Sequence, residues 1–105
     1  MKLYLHRKGI SADPHWSQHL ERRLGFALGR FGDRVRSVWA QLSDQNGPRG
    51  GIDKRCRLQA RGTFGLETVQ VDDTQIEVAI DGACDRLGRG IARALERSRK
   101  QLRQD

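Results

Sequence analysis

His15 and His19 stand one helical turn apart, the i, i+4 spacing with which a helix presents two imidazoles to one metal ion. The residues between them are Trp16, Ser17 and Gln18, so the glutamate that a zinc protease uses as its base is missing. Cys56 and Cys84 form no CxxC pair and fall in apolar patterns, which suits reduced core thiols better than a disulfide, a nucleophile or a metal site. Gly47 to Gly51 reads GPRGG, without the Gly-Lys-Ser/Thr ending and following helix of a phosphate loop, and is expected to be a flexible turn. Glu77, Asp81 and Asp85 make a carboxylate ladder at i, i+4 and i+8, although surface carboxylates giving one oxygen each seldom hold a cation without a cage. No set of nucleophile, base and orienting residue appears, so neither an enzyme nor a cofactor, metal or small-molecule substrate is expected.

The chemistry on offer is cationic. Twenty Lys and Arg oppose 13 Asp and Glu, a net charge of +7, and 16 of the bases are Arg. A guanidinium grips phosphate through a planar two-pronged fork, whereas an ammonium acts as a point charge. A polyanionic partner is one explanation; a composition that uses arginine wherever any surface cation would serve is another. Position separates the two. At 100° per residue, Arg86, Arg89, Arg93, Arg97 and Lys100 fall in an arc of roughly 80°, whose centre lies roughly 130° from the apolar stripe of the same helix. Residues 86–105 carry seven bases against Glu96 and Asp105. The helix dipole accounts for acids early and bases late, with Asp85 and Arg89 as a possible surface pair, but it does not require so many unpaired bases. Arg22, Arg23 and Arg30 extend this surface if the two helices lie side by side. Arg55, Arg57 and Arg61 belong to the opposite sheet face as a secondary surface, where Trp39 or Tyr4 can stack on a base or simply form sheet surface. Gly82, Gly88 and Gly90 each weaken a helix by about 0.8 to 1 kcal/mol. Gly88 and Gly90, which flank Arg89, serve close approach of a phosphate backbone, serve helix packing, or are simply tolerated.

The elements that must position these residues follow from periodicity. Lys2 to His6 alternates as a half-buried strand. Asp13 and Pro14 open a helix whose apolar residues, Trp16, Leu20, Leu24, Ala27, Leu28 and Phe31, carry it to about Phe31, with Gly32 as its stop. Strands follow around Val38 to Leu42, Cys56 to Ala60 and, shorter, Val69 to Val71. They are separated by the turn-forming stretch Asp44 to Gly51 and the tight connection Gly62 to Gly65. Thr74 and Glu77 have the spacing of a capping box ahead of a helix of about 25 residues, with fraying expected after Lys100. The order β-α-β-β-β-α predicts an α+β fold with strands two to four as an antiparallel meander and both helices on one face of a four-stranded sheet.

At 105 residues the chain fits a single domain spanning 1-105. Its charged start, Lys2, Arg7 and Lys8, has no apolar run, so neither a signal peptide nor a membrane span is expected and the cytoplasm is the expected location.

The order of elements, Phe31-Gly32-Asp33-Arg34-Val35 at the first helix-to-strand junction, and Val78-Ala79-Ile80-Asp81-Gly82 leading into Asp85-Arg86-Leu87-Gly88-Arg89 resemble the ribosome hibernation promoting factor and ribosome-associated inhibitor family over nearly the whole chain. The resemblance is to a short form, without the carboxy-terminal dimerisation module of the long form, and with Gly25, Phe26 and Ala27 in place of a more charged stretch. The segment Asn46 to Asp53 is also richer in glycine. What the resemblance implies is occupation of the decoding channel of the small ribosomal subunit, contact with its ribosomal RNA, inhibition of translation and protection of idle ribosomes under stress. Arg86, Arg89 and Arg93 match the family's basic positions on the second helix, with Arg22, Arg23 and Arg30 on the first. A monomer is expected. A generic module for structured RNA is the alternative, and a small enzyme or interaction domain with incidental charge is the third reading.

Overall fold

A computed structural model of the chain describes residues 1–10, 13–45 and 51–104. Its elements are β1 (Lys2–Lys8), α1 (Pro14–Leu28), a 3₁₀ segment (Gly29–Arg34), β2 (Val35–Asp44), β3 (Lys54–Gly62), β4 (Gly65–Asp73) and α2 (Ile76–Gln104). The β-α-β-β-β-α order is the expected one. The sheet runs β1-β2-β3-β4, with β1 parallel to β2 and the remaining pairs antiparallel. A parallel first pair requires a crossover, and α1 supplies it.

Alternation decides which face is covered. Val38, Ala40 and Leu42 of β2 and Cys56, Leu58 and Ala60 of β3 are buried, and so are Leu20, Leu24 and Leu28 of α1 and Ala79, Ile80, Ala83, Leu87 and Ile91 of α2. Both helices therefore cover one face, each fully buried Leu or Ile contributing roughly 1.5–3 kcal/mol, while the other face is left open. Cys56 and Cys84 are free thiols inside this core. Burial pushes the Cys56 thiol up, and it pushes Cys84 up to about 12. Neither thiol is expected to react with a disulfide reagent at pH 8 until the protein unfolds; stoichiometric labelling of the native protein would contradict their placement.

Four boundaries differ from the sequence expectation. α1 ends at Leu28 instead of Phe31, because a tighter turn takes over at Gly29. Within that turn Gly32 adopts φ +56°, so the glycine does reverse the chain, four residues beyond the α-helix. The Arg34 guanidinium closes it, donating to the carbonyls of Phe31 (3.0 Å) and Arg30 (3.3 Å). The capping box at Thr74 does not form. Gln75 occupies the cap, its carbonyl accepting from Ala79 N–H at 3.1 Å, and Asp73 Oδ1 accepts from Gln75 N–H at 3.1 Å. The Thr74 hydroxyl donates to the same Asp73 oxygen at 3.3 Å, and the Glu77 carboxylate is used elsewhere. β4 is as long as β3, because backbone pairing continues through residues whose side chains do not alternate cleanly in hydropathy. α2 continues to Gln104, past Lys100.

Most of the Asp44 to Gly51 turn, including GPRGG up to Gly50, lies outside the described residues. At its edges Lys54 Nζ donates to Asp53 Oδ1 at 2.9 Å and lies 3.3 Å from Asp44 Oδ2, which ties the end of β2 to the start of β3.

Candidate nucleic-acid interface

The site begins with what the helices do to each other's charges. His15 Nε2 lies 2.7 Å from Glu77 Oε1, His19 Nε2 lies 2.7 Å from Asp81 Oδ1, and Arg23 Nη2 donates to Asp85 Oδ1 at 3.1 Å. Arg23 Nε is also 3.2 Å from Asp81, a contact of charge, since no hydrogen bond forms at that buried atom. The rungs advance by four residues on each helix together, so α1 and α2 run parallel and side by side. The two histidines that spacing offered to a metal are partners of two of the three carboxylates that spacing offered to a cation, and Arg23 takes the third. A neutral imidazole with its proton on Nε2 can donate to a carboxylate without being charged. Asp81→Ala removes the acceptor shared by His19 and Arg23 and is expected to destabilise the fold by about 1 kcal/mol, the upper range for half-exposed pairs. Denaturant unfolding checks this, and an unchanged midpoint would mean that the ladder contributes no stability.

This ladder decides the electrostatics of the rest of α2. Asp85 is held by Arg23, so the Asp85–Arg89 pair that spacing allows does not form. Among the described residues, Arg86, Arg89, Arg93, Arg97 and Lys100 take part in no ion pair, and all five are exposed. The sequence placed Arg22, Arg23 and Arg30 beside them. Arg22 and Arg30 are exposed on the neighbouring element, whereas Arg23 is half-buried in the ladder and is not free to meet a partner. Arg97 and Lys100 lie beyond Ala94, the last buried residue of α2, on a helical arm that projects past the core.

Between the helices runs a groove. One stretch of about 290 Å³ is bounded by Phe26, Ala27, Arg30, Asp85, Gly88 and Arg89. The next, of about 220 Å³, is bounded by Arg30, Phe31, Arg34, Ala92, Glu96 and Arg99 among others. Its depth depends on a close approach: a Cβ on Gly88 would stand 3.0 Å from the Ala27 carbonyl oxygen. Gly88 and Gly90 are both buried, Gly90 against the Glu67 side chain and Gly82 against Val71. All three glycines meet a packed neighbour, which favours the packing reading, while Gly88 also borders the groove.

Sequence periodicity missed two residues of this groove. Phe26 is 79% exposed at its edge, an aromatic outside the apolar stripe that the stripe-based reading passed over. Arg34 reaches the groove because the 3₁₀ turn brings it back over Phe31, whose ring is 5.9 Å from its guanidinium, with Arg30 at 4.7 Å. The signal available was the spacing of both arginines around Phe31 next to a glycine. Arg30, Arg89 and Arg99 on the rim of this groove make no ion pair among the described residues, and such guanidinium forks suit a phosphate backbone, each able to take two phosphate oxygens.

The chain matches no protein-family model and no curated protein by sequence. Among solved structures it is similar to the N-terminal domain of Protein Y from Thermus thermophilus, at 23% identity and a TM-score of 0.72, over 89% of this chain and 98% of that one. It is also similar to a ribosomal subunit interface protein from Coxiella burnetii, at 11% identity and a TM-score of 0.74, over 89% and 96%. The chain has the Protein Y fold. At these identities the likeness is one of architecture, and it agrees with the family resemblance that the helix-junction and second-helix motifs carry. In this chain the 3₁₀ turn lies against α2 between Ala92 and Arg99. No helix among the described residues is long and apolar enough to cross a membrane.

Proposed function

We propose that this protein binds the ribosome as a hibernation factor, laying its interhelical arginine rim on the ribosomal RNA of the small subunit within the decoding channel and so blocking translation. The observation that carries the reading is the unpaired state of Arg86, Arg89 and Arg93: Glu77, Asp81 and Asp85 of α2 are bound by α1, and Glu96 pairs with none of the three arginines. Support comes from the fold shared with a ribosomal subunit interface protein and with Protein Y, and from the motifs at the helix junction. Arg22, Arg30, Arg97 and Lys100 widen the contact, and Arg23 acts by holding the helices in register. The protein acts as a monomer in the cytoplasm, and the role requires neither catalysis nor a cofactor.

Co-sedimentation with small ribosomal subunits across a salt series tests this. Saturable binding is expected, its logarithm falling linearly with the logarithm of salt concentration by about 0.7 to 0.9 per phosphate contact. Equal affinity for an unrelated RNA duplex at physiological salt would favour a generic structured-RNA module instead, and binding indifferent to salt would reject both.

A further inference from the structure

The face of the sheet turned away from the helices is open, and it has its own chemistry. Register places Tyr4, Trp39, Gln59 and Thr68 in one row across the four strands, His6, Gln41, Arg57 and Gln70 in the next, and Lys2, Ser37, Arg61 and Leu66 on the other side. A fourth row holds Lys8, Ser43, Arg55 and Asp72. Trp39 is 54% exposed at the centre, and Tyr4 stacks on it with ring centroids 4.3 Å apart and planes 17° from parallel. Beside the indole a shallow pocket of about 340 Å³ opens among His6, Trp39, Gln41, Arg57 and Gln59.

Charge on this face has one sign. Asp72 is its single carboxylate, and Arg55 neutralises it through two hydrogen bonds of 2.9 and 3.1 Å that hold its carboxyl below the usual value. Lys2, Lys8, Arg57 and Arg61 take part in no ion pair among the described residues. The stacked Tyr4–Trp39 cross-strand pair contributes roughly 0.2–1 kcal/mol to the sheet, but that contribution does not call for the unpaired cations around it. The combination does match what a single strand of nucleic acid presents: a flat base to stack and phosphates on either side.

We infer that the open sheet face is a second nucleic-acid site, on which an unpaired RNA segment stacks a base on Trp39 and sets its flanking phosphates against Arg57 and Arg61. The two rows that carry these arginines lie two residues to either side of Trp39, about 7 Å along the strands, within reach of so long a side chain. Gln41 and Gln59 each bring a donor and an acceptor to the base edge. The site is opposite the helix pair, so one protein molecule can hold a structured RNA on its helices and an unpaired strand on its sheet.

Octauridylate titrated against the Trp16→Phe variant, in which Trp39 is the sole tryptophan, is the test. Saturable quenching of Trp39 fluorescence is expected. By anisotropy of a labelled octauridylate, Trp39→Ala weakens binding roughly 10-fold, as loss of one base stack does. R57E/R61E, which leaves the stacked pair intact, weakens it at least as much. R86E/R89E/R93E changes it by no more than about 2-fold, since distant sites act independently. Ribosome co-sedimentation should show the reverse ranking, so the two surfaces fail separately. Absence of quenching, or octauridylate binding that survives R57E/R61E, overturns the inference, as does equal loss in the helix variant.

Discussion

R86E/R89E/R93E is expected to lose at least 100-fold in affinity for small ribosomal subunits at physiological salt while keeping its helical circular dichroism and its unfolding midpoint. Each of these side chains is exposed and unpaired, so the fold does not depend on it. Each phosphate contact by a charged donor contributes about 1.5 kcal/mol or more before the new repulsion is counted, so three together exceed the roughly 2.7 kcal/mol that 100-fold requires. The salt slope should become shallower by about three contacts' worth. A variant that binds like the original would remove α2 from the interface; one that unfolds would show that the stripe stabilises the helix after all. Replacing the same residues by Lys discriminates further. If two-pronged phosphate contacts matter, lysine restores the salt dependence but only part of the affinity, because an ammonium cannot form the fork.

The largest loss of stability is expected from Gly62→Ala, about 2–4 kcal/mol, or a midpoint roughly 10–25 °C lower for a chain of this size. A Cβ at Gly62 would fall inside the contact radius of the Arg34 carbonyl oxygen and also meet the Phe64 ring. That carbonyl accepts the Thr63 N–H at 2.9 Å, and it belongs to the turn that leads α1 into β2, so relief requires backbone movement at both. Overpacking of this kind is costly because the nearest neighbour is backbone, which cannot swing aside as a side-chain tip does. Gly65→Ala, three residues on in the same hairpin, is the comparison: φ is +96° but the space around it is open, so only backbone strain of roughly 1–2 kcal/mol applies. Equal losses by thermal melting in the two variants would mean that strain, not the close approach, sets the requirement for glycine at position 62.

Residue identity and spacing alone were enough for the architecture. Alternation at Val38, Ala40 and Leu42 and at Cys56, Leu58 and Ala60, with the 3.6-residue stripes from Leu20 to Leu28 and from Ala79 to Ile91, compels two helices on one face of the sheet, since burial is local in period even when it is distant in sequence. The arginine stripe of α2 was readable in the same way, because angle around a helix depends only on residue number. Partners across elements were not readable. His15 and His19 looked like a metal pair, Glu77 to Asp85 like a cation ladder, and Asp85 like a partner for Arg89, because spacing reports neighbours on one helix and is silent about the next. Only the parallel docking of α1 on α2, set by the Gly88 approach to Ala27, joined those groups rung to rung. That docking took Arg23 out of the basic surface and took Asp85 from Arg89, while the 3₁₀ turn brought Arg34 over Phe31 into the groove. Net charge and its position on a helix are properties of sequence; whether a charge is spent or free is a property of what packs against it.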